Sequence, residues 1–178
     1  MNKRVCVVGL GYIGLPTAAL LASKGCKVHG VDVIKNVVDT INQGKIHIVE
    51  PELDKFVKEA VESGNLKADT KPDFADVFII AVPTPFHKGF IPNIDYVINA
   101  AESIAPYIKD GNIVVLESTS PVGTTEKISE VFQDKGVDIS KVYIAHCPER
   151  VLPGQIMKEI VQNDRIVGGI TQISTKKV

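Results

Sequence analysis

The clearest chemical instruction in the 178-residue chain lies in residues 5–32, where the apolar run Val5-Cys6-Val7-Val8 enters Gly9-Leu10-Gly11-Tyr12-Ile13-Gly14. A second apolar run, residues 28–31, then ends on Asp32, eighteen residues after Gly14. The spacing reads as strand, turn, helix, strand, acid, which is what a dinucleotide asks of a backbone. Gly9 permits a tight turn, Gly11 lets the main chain approach a pyrophosphate without a Cβ in the way, and Gly14 lets the helix pack closely on the strand. The helix opens with unpaired N–H groups and its positive dipole end toward the phosphates. Asp32 is placed to accept hydrogen bonds from ribose hydroxyls, and its charge would repel a 2′-phosphate, so the stretch favours NAD over NADP. An S-adenosylmethionine enzyme also places an acid after its second strand, but the third glycine and the residues that follow count against it.

Other polar groups collect where apolar runs stop. Residues 76–82 form a strand buried on both faces that ends in Val82-Pro83-Thr84-Pro85. The two prolines remove ladder donors, so the chain is expected to leave the sheet at Thr84, beside a ligand lying beyond the strand ends. Residues 113–117 run into Ser118-Thr119-Ser120-Pro121-Val122-Gly123-Thr124-Thr125. There Thr124 or Thr125 could cap the next helix, a role compatible with cofactor contact. The strand at 142–145 leads into His146-Cys147-Pro148-Glu149-Arg150, whose acid and base could form a surface ion pair.

The elements that must position these groups alternate along the chain. Helices are expected at 12–24, 34–43, 53–63, 94–108 and from 124 or 125 to 135, with strands at 5–8, 27–32, 66–70, 76–82, 113–117 and 142–145 and a short edge-like element at 165–169. Pro51 suits the first turn of the third helix, and Ile46, Ile48 and Val49 before it are expected to pack against the body. The alternation implies an α/β fold of Rossmann type: a doubly wound, mostly parallel sheet of six or seven strands, with helices on both faces, forming one domain over residues 1–178.

Composition bounds the alternatives. A formal net charge of −1, with scattered Lys and Arg, shows no nucleic-acid footprint. No apolar stretch approaches the roughly 20 residues of a membrane span, and the first strand begins too early for a signal peptide, so a cytoplasmic protein is expected. Cys6, Cys26 and Cys147 lack metal-type spacing and are read as free, buried thiols, with neither disulfide nor metal site.

Taken together, the segments at 9–16, 46–51, 82–86, 117–123 and 147–154 resemble the N-terminal domain of the UDP-glucose/GDP-mannose dehydrogenase family. The sharpest is Cys147-Pro148-Glu149-Arg150-Val151-Leu152-Pro153-Gly154, because glucose-specific members carry an Asn-Pro-Glu-Phe type sequence there. The resemblance implies oxidation of a UDP-sugar at C6, twice, with two NAD⁺ reduced, through a cysteine-bound thiohemiacetal and thioester. Carried onto this chain, it implies that Tyr12, Ile13, Asp32, Thr84 and Thr125 line NAD. Thr119 would hold a water or oxyanion near C6, Glu149 would serve acid–base chemistry, and Arg150 and Val151 would touch the UDP-sugar. The family's essential lysine, asparagine and cysteine have no counterpart here, and none of the three cysteines is promoted to fill the gap. The chain is therefore expected to be the cofactor domain of a larger, homodimeric dehydrogenase, inactive by itself. Two competing readings are a stand-alone sensor of NAD(H) and a hydroxyacid or phosphogluconate-type dehydrogenase. Thr119, Glu149 and Arg150 are superfluous to a sensor, and the Cys-Pro-Glu-Arg segment disfavours the second.

Overall fold

The computed structural model describes residues 3–178. Seven strands, β1 (Arg4–Val8), β2 (Lys27–Val31), β3 (Leu66–Asp69), β4 (Val77–Ile80), β5 (Ile113–Leu116), β6 (Tyr143–His146) and β7 (Gly168–Gly169), form one sheet in the order β3-β2-β1-β4-β5-β6-β7. All pairings are parallel except β6 with β7, which is antiparallel. The helices are α1 (Gly14–Ser23), α2 (Lys35–Asn42), α3 (Leu53–Glu62), α4 (Asp95–Ile104), α5 (Thr124–Asp134), α6 (Ile156–Gln162) and α7 (Gln172–Lys177). This is the Rossmann-type architecture that the sequence pattern implies.

Alternation along the central strands splits the core between two faces. Val5 and Val7 of β1 join α1, α2, α3 and Met157 of α6 on one side. Cys6 and Val8, with Phe78, Ile80, Val114 and Leu116, meet α4 and α5 on the other, where Ile104, Ile128 and Phe132 are fully buried. The apolar runs of β1, β4 and β5 are continuous because both faces are covered.

The structure shifts several expected boundaries. The fourth helix ends at Ile104, and residues Ala105–Tyr107 continue as a 3-10 turn holding Pro106, whose ring and missing N–H break an α-helix. β4 stops at Ile80, and Ala81 adds one more ladder bond to the Val8 carbonyl, so the chain leaves the sheet before Thr84 rather than at it. Pro51 precedes α3 instead of entering it, and Glu52, at φ 65°, makes the turn. Ile46 and Ile48 do pack on the core, but Val49 is exposed. Helices α6 and α7 lie in a region the periodicity left unassigned. At seven and six residues they are too short for a helical repeat to show.

Among the glycines, the closest backbone approach is at the turn from β1 into α1. Gly9 has φ 92°, and a Cβ on Gly14 would lie 1.8 Å from the Gly9 carbonyl oxygen and 3.2 Å from the Ala81 side chain. Helix and strand meet here backbone to backbone. Gly14→Ala should therefore cost about 2–3 kcal/mol through overpacking, lowering Tm by roughly 5–10 °C for a domain of this size; a melt that coincides with wild type would refute the contact.

Candidate functional site

Parallel register sets the strand ends level. Val8 pairs with Val31 and Ile80, Ile80 with Leu116, and Leu116 with His146. Asp32, Gly9, Ala81, Glu117 and Cys147 thus stand one residue beyond the sheet in adjoining strands, at the carboxyl edge where open α/β sheets bind ligands. Thr84, Thr119 and Glu149 lie three or four residues past the same edge, on the loops that rise from it.

At the first turn, Gly11 has no conformational or packing need to be glycine: a Cβ there meets nothing within 4 Å. The space above it is open, as a close-lying ligand requires. Helix α1 begins without a side-chain cap or an acidic residue in its first turn. Among the described residues no acceptor takes the N–H groups of Gly11, Tyr12 or Ile13, which leaves them free for an anion. Tyr12 is exposed and Ile13 half-buried. The carboxylate of Asp32 braces the loop, Oδ2 accepting from the Leu10 N–H at 3.1 Å and Oδ1 from the Ile34 N–H at 2.9 Å. A carboxylate offers about four lone-pair sites, so acceptor capacity remains for ribose hydroxyls.

The hydroxyls sort into two groups. Ser118 donates to the Val82 carbonyl at 2.8 Å, tying the β5 loop to the β4 loop, and Thr124 donates to the Pro121 carbonyl at 2.7 Å. Those of Thr84, Thr119 and Thr125 have no hydrogen-bond partner among the described residues and are free for a ligand. Neither Thr124 nor Thr125 caps α5, contrary to expectation. Both lie inside the helix, and Gly123, at φ 91°, holds the cap position without a side chain.

The carboxylate past β6 is not part of a surface pair with Arg150. Glu149 is buried, and its Oε2 faces Nη1 of Arg165 as an ion pair, although no hydrogen bond of good geometry reaches that oxygen. Its Oε1 accepts from the Arg150 N–H at 2.8 Å. The guanidinium of Arg150 turns away, to the Asp164 carbonyl at 3.0 Å, and Val151 beside it is half-buried. Arg165 serves a second acid, Glu117, through Nη2 at 3.2 Å. The other oxygen of Glu117 accepts from the hydroxyl of Thr17, one turn into α1, at 3.1 Å.

Sequence reasoning missed this Thr17–Glu117–Arg165–Glu149 chain. The available signal was Glu117 itself, an acid closing a strand that is otherwise apolar. Arg165, forty-eight residues later in sequence, carried none. Glu50 was also missed. It is buried and accepts from the N–H groups of Gly154 and Ile156 at 2.7 and 2.8 Å, capping α6 and fixing the far end of the 147–154 loop.

The two buried thiols, Cys6 and Cys147, are not poised for nucleophilic work. Burial pushes Cys6 up to about 12. Burial also raises Cys147, with Arg165 opposing and Glu117 and Glu149 reinforcing. Cys26 is half-buried. Among the described residues no group of three or more His, Cys, Asp and Glu converges as metal ligands do, and no helix is long and apolar enough to cross a membrane.

A parallel sheet with a glycine turn into α1, an acid at the tip of β2 and free hydroxyls at the carboxyl edge define a Rossmann-type dinucleotide-binding domain. Comparison with known proteins narrows the class. The model of the UDP-glucose/GDP-mannose dehydrogenase family, NAD binding domain, matches residues 3–178, and the chain belongs to this family, with NAD as its cofactor. The chain is 57% identical to a UDP-N-acetyl-D-mannosamine dehydrogenase of Campylobacter jejuni, over 97% of its own length and 45% of that protein. It is 53% identical to an NDP-N-acetyl-D-galactosaminuronic acid dehydrogenase of Ralstonia nicotianae, over 95% of its length and 42% of that protein. Among solved structures, a UDP-N-acetyl-mannosamine dehydrogenase from Staphylococcus aureus superposes with a TM-score of 0.93 at 42% identity, over 98% of this chain and 43% of that one. The chain thus spans less than half the length of the curated relatives it matches.

Glu117 supplies a pH test. Burial raises its carboxyl above the ordinary value of 4.5, opposed first by the charge of Arg165 and then by the Thr17 and Arg165 hydrogen bonds, with Glu149 adding to the rise. The folded protein then holds a proton that the unfolded chain has released, so this group's contribution to stability falls as pH climbs from about 4.5 through the raised value. Glu117→Gln removes that dependence. The difference in Tm between variant and wild type should move in the variant's favour as pH rises from about 4.5 toward neutrality, and a difference constant over that range would contradict the assignment.

Proposed function

We propose that this chain is the NAD-binding part of a UDP-sugar 6-dehydrogenase that oxidises UDP-N-acetyl-D-mannosamine twice at C6, giving the uronate, in the cytoplasm and as a homodimer. The observation that carries the reading is Glu149. It is a carboxylate held buried beyond the end of β6, at the same edge of the sheet as the glycine turn. A pure nucleotide sensor has no use for it.

In this reading Tyr12, Ile13, Thr84 and Thr125 flank the dinucleotide, Gly9, Gly11 and Gly14 shape the turn beneath its pyrophosphate, and Asp32 accepts from its ribose. NAD, when bound, supplies the hydride acceptor. The free hydroxyl of Thr119 holds a water or the developing oxyanion near C6, Glu149 takes or returns a proton there, and Arg150 and Val151 contact the UDP-sugar. For Arg150 this requires its guanidinium to leave the Asp164 carbonyl. Cys6 and Cys147 are held as thiols by burial, and Cys26 lies before β2, at the opposite end of the sheet from the glycine turn, so the covalent half of the reaction is assigned to residues outside this chain. The chain alone binds NAD without turnover. The similarity to the Ralstonia protein named for N-acetylgalactosaminuronic acid favours, as a second reading, a UDP-linked N-acetylhexosamine of different stereochemistry.

Two measurements test these roles. NAD should bind at least about tenfold more tightly than NADP, a difference of about 1.4 kcal/mol, and equal affinities would remove the role given to Asp32. Gly11→Ala should leave Tm within about 2 °C of wild type, since the added methyl meets nothing in the protein, yet weaken NAD by about tenfold or more; undiminished binding would move the pyrophosphate elsewhere. For the activity, the full-length protein should form NADH from UDP-N-acetylmannosamine and this chain alone should not. NADH formation by the isolated chain, or none by the full-length protein with any UDP-N-acetylhexosamine, would overturn the proposal.

A further inference from the structure

Arg165 reaches the strand-end edge from outside the loops that carry the other site residues. It lies just before β7, the single antiparallel strand, and its guanidinium enters between the β5 and β6 loops. Nη1 faces Glu149 and Nη2 lies 3.2 Å from Glu117. The two acids have side chains only 2% and 5% exposed, whereas a third of the Arg165 side chain remains in solvent. The backbone completes the frame, because the Glu149 N–H donates to the Glu117 carbonyl at 3.3 Å.

Three properties set this contact apart from an ordinary ion pair. The guanidinium is planar and permanently charged and offers a rigid fork of donors, so it can hold two carboxylates at a fixed separation as an ammonium cannot. Two acids share one cation in a poorly solvated place, so removing the cation leaves both uncompensated. The second acid is anchored to α1 through Thr17, so the orientation of Glu149 is referred back to the helix that begins at the glycine turn.

We propose that Arg165 is a positioning residue, which fixes the Glu149 carboxylate in place beyond the end of β6, with Glu117 and Thr17 as its anchor on α1. The proposal rests on the acid–base role given to Glu149 above. The charged and titratable groups around Glu149 are Arg165 before β7, Glu117 after β5 and Cys147 after β6. The Arg150 N–H holds its other oxygen. Among the described residues Arg165 is the cation paired with Glu149, and its loss must favour the protonated acid.

The test uses Arg165→Met and Arg165→Lys in the full-length protein. The carboxyl carbon of Glu149 is followed by NMR during pH titration, and NAD affinity, kcat and the pH profile of kcat are measured alongside. In Arg165→Met the Glu149 titration should move up by about one unit or more. Through the same residue the acidic limb of kcat should move up with it, and kcat should fall about tenfold or more while NAD affinity stays within about threefold. Arg165→Lys restores the charge without the fork. It should return the Glu149 titration most of the way while leaving kcat between the two, and it serves alone, against wild type, where the methionine variant fails to fold. A Glu149 titration and pH profile unmoved in the variants, with only Tm lowered, would overturn the proposal and leave Arg165 a structural ion pair. A shifted titration in a protein that oxidises no UDP-sugar would instead sustain the positioning role and sink the activity proposed for the site.

Discussion

The contact between the first residue of α1 and the Gly9 carbonyl is the constraint from which the rest of the site follows. With no Cβ at Gly14, the helix axis can start directly over the end of β1 and against Ala81 at the end of β4. That placement leaves the N–H groups of Gly11, Tyr12 and Ile13 without an acceptor among the described residues, and it puts Thr17, one turn along, beside Glu117 at the end of β5. A helix displaced by even a methyl group would lose both. Packed interiors respond to such changes by rearranging, since they have little free volume to absorb them.

From Thr17 the construction continues through charge. Two acids and one arginine are gathered where water is scarce, and such an arrangement contributes little to net stability. Desolvation offsets much of the attraction, although breaking a buried pair by deleting one partner typically costs about 3–5 kcal/mol. Its contribution is geometric. The loops after β5 and β6 are also tied by backbone bonds such as that from the Cys147 N–H to the Leu116 carbonyl and by His146 Nε2 against the Ser118 carbonyl at 3.1 Å, but it is the guanidinium that fixes their two acid side chains relative to each other. Glu50 does the same for the far end of the 147–154 loop by capping α6 across more than a hundred residues of sequence. A loop that carries Glu149, Arg150 and Val151 is thus pinned at both ends by buried glutamates.

What could be read from the chain was whatever depends on local pattern. The apolar runs of β1, β4 and β5 stand out because both their faces are covered. The glycine turn stands out because its conformational and packing demands are met within six residues. The helix boundaries were less legible. Pro106 shortens α4 into a 3-10 turn that the apolar spacing runs straight through, and α6 and α7 are each under two or so turns, too brief for a repeat to register. Among the site residues, Asp32 and Thr84 could be named because each follows a strand, and parallel strands deliver their ends to one edge; Thr119 and Glu149 also follow strands, but it is the family resemblance that picks them out. Glu149 was nonetheless given the wrong partner. Adjacency suggested Arg150, while the fold brings up Arg165 and sends Arg150 to a carbonyl.

The sequence by itself determined the doubly wound sheet, the dinucleotide turn and the row of polar residues beyond the strand ends, since periods of two and 3.6 and the demands of a tight turn are written over a few consecutive residues. Only the tertiary structure decided that a two-residue antiparallel strand returns at the edge of the sheet to insert Arg165 between Glu117 and Glu149, and that Glu50 closes α6. Those pairings join residues 16 to 106 positions apart. A contact across such a distance exists only once the intervening helices have packed, so no local pattern of residues announces it.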